Sequence, residues 1–441
     1  MSQQNKKMQL LGSAPIPKAL LAMGIPTMIG MLVNALYNLV DAYFVGGLGE
    51  SQMGAISVVY PLGQVVVGLG LLFGNGAASY ISRLLGRNDK EKANKVVSTA
   101  LYSSIFVGAV IIILSVIFLK PILRLLGIFN VFNVTMNNIV TSEGAAKTTM
   151  CALLTGAVLN IALDPIFIYV LDLGVAGAAI ATAIAQVVST LVYLFYIFRK
   201  KSVFDFKVKD CCFSMDIMSE IFKIGIPTLV FQILTSLSIS LTNNAAANYG
   251  DAAIAGMGVV TRLVSMGSLT IFGFIKGFQP IAGYSYGAKK FDRLHEAIKT
   301  SIIWSTAFCV VYGLILALFS TTIVSQFASG NMDMIKVGAS SLRVNGVSLM
   351  LFGFYTVYSS LFLALGKGKE GFILGACRQG ICFVPVILIL PMVWGLNGIL
   401  YAQPVADVLS AIITVFMAAH LYKELKAEEK QYIAIKDENI Y

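Results

Sequence analysis

The sequence predicts an all-α integral membrane protein, with about twelve transmembrane helices in two pseudo-symmetric six-helix bundles related as parallel repeats. Three observations carry this. The 441 residues are 57% hydrophobic and only 12% charged, with a mean hydropathy of +0.81, whereas a soluble chain carries about 25% charged residues. Such a chain cannot cover a water-facing surface and belongs in a bilayer. The basic residues fall in alternate connections between apolar runs. The chain also repeats itself, one half against the other.

A helix crosses the hydrocarbon core with about 20 mostly apolar residues. Runs of that kind lie near 20–47, 53–82, 96–118, 122–142, 148–171, 174–198, 220–248, 252–283, 300–327, 335–365, 371–394 and 396–422. Connections on one side carry Lys6, Lys7 and Lys18, then Arg83, Arg87, Lys90, Lys92 and Lys95, then Arg199, Lys200 and Lys201, then Lys289, Lys290 and Arg293. The other side has only Lys120, Arg124 and Lys336. By the positive-inside rule both termini are expected in the cytoplasm of a multi-pass protein of the cell membrane. The net charge of +10 then reads as orientation, not nucleic-acid binding. The N-terminus is polar and shows no cleavable signal, so the first span is expected to serve as an uncleaved anchor. The six cysteines have no metal-ligand spacing, and Cys211 and Cys212 read as free thiols in a cytoplasmic connection.

The repeat is read from AMGIPTMIG (22–30) against KIGIPTLVF (223–231), an offset of 201 that also pairs Phe73, Gly76 and Gly86 with Phe274, Gly277 and Gly287. Six spans per half restore the starting side, so the halves are parallel repeats, an arrangement that encloses a central cavity and works by alternating access. Residues 1–200 form the N-terminal bundle, 201–219 a linker, and 220–441 the C-terminal bundle and tail. Beyond Gly127 the offset becomes about 221, pairing Gly144 with Gly366 and Gly174 with Gly395. The first half is thus about 21 residues shorter between its third and fourth spans. The join at Gly127-Ile128 reads like a cut, while 96–142 would just hold two helices around Lys120-Pro121.

An Asp at the centre of a spanning helix costs roughly 2.5–3.5 kcal/mol on insertion scales, which makes intramembrane ionisable residues functional candidates. Here they are Asp41, Asp164, Arg262, Lys276, Arg343, Arg378 and Asp407. Asn34, Tyr37 and Asp41 share one helix face, with Asn38 beside them and apolar residues opposite. Either this stripe faces the interior, or Asp41 is interfacial, two turns before Gly49-Glu50. Asn160 and Asp164 are one turn apart, and Pro165 loosens the local backbone carbonyls. Carboxylate, amide and carbonyl suit a proton or a small hard cation, with Na⁺ a candidate at Asp41 and Asp164. The bland alternative is an Asp capped by amides. Thr182 and Gln186 form a second one-turn polar pair. Pro26 kinks the helix that carries Asp41, and a carboxylate changing its charge there could change that bend; Pro227 repeats the kink without an acid. Asp407 faces either a structural ion pair with Arg343 or Arg378, or a second ion. Lys276 and Arg262 snorkel or pair. No Ser-His-Asp set, HExxH or P-loop is present, so the reading is not of an enzyme, and no cofactor beyond a coupling ion is expected.

GFQPIAGYSYGAKK (277–290) and its counterpart GNGAASYISRLLGR (74–87) resemble the multidrug and toxic compound extrusion (MATE) family. NIALDPIF and SEIFKIGIP (219–227) are closer still to its MepA-like bacterial branch. The resemblance covers nearly the whole chain. It implies twelve helices in two bundles, exporting cationic amphiphilic drugs in exchange for Na⁺ or H⁺. One branch of the family uses an Asp in the first helix, an Asn and Asp four apart in the fifth, and a Thr in the sixth. Asp41, Asn160, Asp164 and Thr182 match those places. Acids of the other branch, in the seventh and tenth helices, are absent. The shortened connection after Gly127 departs from the family.

Together these readings predict a monomeric secondary-active antiporter. Asp41, Asn160, Asp164 and Thr182 hold the coupling ion, while Asn34, Tyr37, Asn38 and Gln186 line the drug cavity. The alternative is a flippase for lipid-linked precursors, against which stands the lack of intramembrane cations in the N-terminal half.

Overall fold

The computed structural model describes residues 3–46, 50–115, 121–327 and 331–438, and the regular structure among them is entirely helical. The first half comprises α1 (Gln3–Gly12), α2 (Ile16–Gly46), α3 (Glu50–Gly86), α4 (Lys90–Ser115), α5 (Pro121–Ser142), α6 (Ala146–Pro165), a π turn at Ile166–Val170, and α7 (Gly174–Phe198). The second comprises α8 (Met215–Ala247), α9 (Asp251–Gly287), α10 (Phe291–Leu318), α11 (Ser320–Ser325), α12 (Met332–Leu349) and α13 (Phe352–Ala364). It continues with α14 (Gly368–Ala376), a π turn at Cys377–Ile381, α15 (Phe383–Trp394) and α16 (Leu396–Glu438).

Local chemistry explains several of these ends. Pro17 sits in the first turn of α2, where a missing N–H has no intrahelical partner to lose. Ser214 caps α8 by accepting the Ile217 N–H at 3.3 Å, and Asn331 caps α12 by accepting that of Met334 at 3.0 Å. Ten helices among the described residues are long and apolar enough to cross a membrane, and α12 with α13, bent by 50°, supplies an eleventh. The 22-residue α5 fits the twelfth place.

The repeat is visible in the backbone. Left-handed residues recur at equivalent turns: Asn88 (φ 61°) and Lys289 (φ 56°), Gly144 (87°) and Gly366 (81°), Gly174 (55°) and Gly395 (57°). Glycine suits such positions because it has no Cβ to clash. The shortening also has a shape. In the second half α11 precedes α12, which begins at Met332; α5 begins only at Pro121, and no described residue of the first half corresponds to α11. The Gly127-Ile128 join lies inside α5, which is continuous through it. A Cβ at Gly108 of α4 would come within 2.9 Å of Ile128, so the two helices are in close contact there.

Two lobes, α2–α7 and α8–α16, meet where α3 runs along α8 and α2 along α9. Both seams are closed by missing side chains. A Cβ at Gly225 would lie 2.1 Å from the Leu72 carbonyl oxygen, at Gly76 2.3 Å from that of Ile221, and at Gly277 2.5 Å from the Gly24 nitrogen. These contacts lie in the half of the molecule that carries the termini. Farther along, Asn38 on α2 and Thr261, Arg262 and Met266 on α9 are exposed.

Candidate functional site

Inside the N-terminal lobe, α2 packs along α6, and Gly30 of α2 fits over Leu153. The outer end of α2 is pinned to the π turn after Pro165. The Tyr169 hydroxyl donates to the Phe44 carbonyl at 2.7 Å, and Val45 packs with Ile168 and Ala178. This corner holds Asp41 near Asp164, close enough for their charges to interact. Asp164 is fully buried and Asn160 nearly so. Asn160 Nδ2 donates to Asp164 Oδ1 at 3.2 Å and to Thr182 Oγ1 at 3.4 Å.

The remaining oxygens are unmatched. Asp41 Oδ1, Asn160 Oδ1 and Asp164 Oδ2 are all shielded from solvent and accept no hydrogen bond. A buried acceptor left unpaired costs about 1–3 kcal/mol. Several of them in one corner, two on carboxylates, form an electronegative pocket that a proton or a cation would relieve. Among the described residues no group of three or more His, Cys, Asp or Glu side chains could hold a metal ion; a cation here would rest on two carboxylates, an amide and a hydroxyl.

The other expected residues are distributed as follows. Asn38 is exposed and donates to the Asn34 carbonyl at 2.7 Å and its Oδ1 at 2.9 Å. Tyr37 is partly buried on the same stretch of α2. Gln186 is turned toward α5, where Asn133 Nδ2 donates to its Oε1 at 2.7 Å and Thr190 donates back to Asn133 Oδ1 at 3.0 Å. Asp407 is a structural pair. Arg378 Nε lies 2.8 Å from its Oδ1, and Gln403 and Ser348 donate to it at 2.8 and 3.0 Å. Arg343, which the sequence also offers as a partner, is exposed and takes no part. Lys276 has no ion-pair partner among the described residues; its Nζ donates to Asn137 Oδ1 across the seam at 2.6 Å.

Two groups at the end that carries the termini escape sequence reasoning. Arg83 of α3 pairs with Glu220 of α8 at 2.8 Å, bridging the lobes. Glu143, fully buried at the α5–α6 turn, accepts from Tyr196, from Ser202 at 2.8 Å and from the Val203 N–H at 2.6 Å, with Lys7 of α1 at 3.3 Å. Burial holds the Lys7 ammonium below the usual lysine pKa, against the pull of Glu143. The only sequence signal was the acid before Gly144; its partners lie about 60 residues on, or at the N-terminus.

Two lobes of membrane-spanning helices in pseudo-symmetry, with paired acids buried inside one, are the architecture of a transporter. The MatE family model matches residues 26–128 and 227–389. The multidrug export protein MepA of Staphylococcus aureus (strain MSSA476) is 30% identical over 98% of this chain and 99% of its own. MepA of Staphylococcus saprophyticus is also 30% identical, over 94% and 96%. Among solved structures, a MATE in complex with MaL6 superposes with a TM-score of 0.90 at 28% identity, over 96% of this chain and 99% of that one. An outward-facing multidrug resistance MATE transporter of the MOP superfamily gives 0.87 at 28% identity, with the same coverage. The chain belongs to the MatE family.

Proposed function

We infer that this chain is a secondary-active exporter of cationic amphiphilic compounds, exchanging them for H⁺ or Na⁺ by alternating access, with both termini in the cytoplasm. The observation that carries the reading is the set of unmatched buried oxygens on Asp41, Asn160 and Asp164. Two neighbouring carboxylates repel, and a proton or Na⁺ between them removes the repulsion and supplies the missing partner. Occupancy of that corner therefore changes the charge held against α2. Since α2 is pinned at Phe44 and packs on α9 at its other end, it links ion binding to the inter-lobe seam. The export activity printed in the names of the relatives above supports the direction of transport.

The test uses the purified chain in liposomes loaded with ethidium. An inward Na⁺ gradient at clamped pH, and separately a pH gradient without Na⁺, are imposed. The reading predicts that one of them drives ethidium movement against its own gradient. If neither does, while ATP or no energy source moves the dye, the exchange reading fails.

A further inference from the structure

The exchange just described requires the lobes to separate at the end that carries the termini. A further fastening lies there, made by α1. This helix has ten residues, about 15 Å of length, too short to cross a bilayer. It is nevertheless held by both lobes. Met8 packs against two core clusters at once, one built chiefly on α9, α10 and α13, the other on α3, α4 and α5. The first lobe grips the early turns. Lys7 Nζ donates to Glu143 at 3.3 Å, to the Tyr196 hydroxyl, and to the Lys201 carbonyl at 2.7 Å. Gln4 Nε2 donates to the Ser202 carbonyl at 2.7 Å. The second lobe grips the other end. A helix leaves its last carbonyls without intrahelical partners, and the start of α10 supplies them here. Arg293 donates to the carbonyls of Leu10, Leu11 and Ala14, and Lys290 to that of Gly12 at 2.8 Å.

The repeat gives a comparison. At the offset of 201, the counterpart of α1 is 204–213, the connection between the lobes. It lies on α4, the counterpart of α10. The Tyr102 hydroxyl donates to its Phe206 carbonyl at 3.2 Å, and its Cys212 N–H donates to Thr99 at 3.0 Å. That segment must cross from lobe to lobe. α1 precedes the first span, so connectivity does not require it to touch the second lobe. Its two attachments are also unequal. Without Lys7, Glu143 keeps Tyr196, Ser202 and the Val203 N–H as donors, so the acid stays satisfied. The carbonyls that end α1 rely on Arg293 and Lys290.

We propose that α1 is a strap that holds the two lobes shut at the terminal end, and that withdrawal of Lys7 from the Glu143 pocket is the step that frees this end to open. The proposal rests on the alternating-access reading. The lobes cannot part there while both ends of so short a helix are gripped, so α1 must let go of one. It lets go of the first lobe, where the pocket survives without it, and travels with α10.

The test uses the full chain in liposomes, with Cys151, Cys211 and Cys212 replaced by Ser. Spin labels on Glu91→Cys of α4 and Lys299→Cys of α10, both exposed positions, report the separation of the lobes. Lys7→Met removes the ammonium and should raise the ratio of long to short separations at least about tenfold, the worth of one hydrogen bond to a charged group. Unchanged separations would overturn the proposal. In a second protein without labels, Gln4→Cys and Lys201→Cys, again exposed positions, are joined by a short bis-methanethiosulfonate that fastens α1 to the first lobe. The joined protein should exchange ethidium at least about tenfold more slowly, and cutting the joint with a reducing agent should restore the rate. Full-rate exchange while joined would overturn the proposal, since α1 would not need to release. The joined and cut forms are one folded chain, so a folding defect cannot imitate this result. If the cut form also moves no ethidium, the exporter reading fails, and the label separations still decide whether α1 holds the lobes.

Discussion

Asp164 is held by one amide hydrogen and has one oxygen unmatched, while the Asn160 amide hydrogens are shared between Asp164 and Thr182. Thr182 therefore contributes through its hydroxyl oxygen. Thr182→Val keeps the shape and removes the oxygen, and should raise the ion concentration for half-maximal exchange about tenfold, equivalent to one lost hydrogen bond of about 1.4 kcal/mol; an ion titration of transport rate checks this, and an unchanged midpoint would remove Thr182 from the site. Across the molecule, Arg378→Leu strands Asp407 with its charge buried and should cost about 3–5 kcal/mol, most of it recovered in the double change with Asp407→Leu. Thermal unfolding in detergent measures both. At this scale the sequence was informative where charge is expensive. An acid inside an apolar run announces itself, which is why Asp41, Asp164 and Asp407 could be picked out. Which cation meets Asp407 was not legible, because Arg378 and Arg343 lie at similar depth on different elements, and only the packing of α12 and the second π turn decides which one points inward. Glu143 was missed because its partners Lys7, Tyr196 and Ser202 are far away in sequence and its own neighbourhood reads as an ordinary turn.

The seam helices depend on absent side chains more than on contacts made. In an exposed helix Gly→Ala is stabilising by about 1 kcal/mol. Gly225→Ala should do the opposite, since its new Cβ would sit 2.1 Å from the Leu72 carbonyl oxygen. Overpacking of that kind costs about 1–3 kcal/mol, and a lowered unfolding temperature is expected; a raised one would mean that α3 and α8 are not pressed together there. The spans themselves were legible from apolar length, and the helix count from the repeat. Their ends were less so: α8 starts at Met215, not near 220, and α9 runs to Gly287, because amphipathic turns outside the apolar run continue the helix. The Gly127-Ile128 join looks abrupt as a sequence and is unremarkable as a helix, since Ile128 lies directly over Gly108.

For the whole molecule, the positions of the ion corner and the seam matter together. The carboxylates lie in one lobe, near the end of α2 remote from the termini, while the lobes are fastened to each other closer to the termini. Arg83 and Glu220 are part of that fastening. A hydrogen bond to a charged partner is worth about 1.5–3 kcal/mol, so Glu220→Gln should shift the balance toward the state open at the terminal end by roughly tenfold or more. Distances between spin labels placed on the two lobes at that end would report it, and exchanging the charges, Arg83→Glu with Glu220→Arg, should restore the closed distribution. A distribution unaffected by either change would mean that the glycine contacts alone hold the seam. The pseudo-symmetry was readable from the offset of 201, but the asymmetry that gives function its direction was not. Asp41 corresponds to Thr242 in the second half, and the acid there, Asp407, is already neutralised by Arg378.

The central claim is that the Asp41–Asp164 corner drives export. It is tested most directly by ethidium efflux from energised cells, comparing the unaltered chain with Asp41→Asn at equal membrane expression. The account predicts efflux by the unaltered chain and loss of at least about tenfold in the variant, since an amide cannot exchange the charge that couples the ion to α2. Undiminished efflux by Asp41→Asn would contradict it.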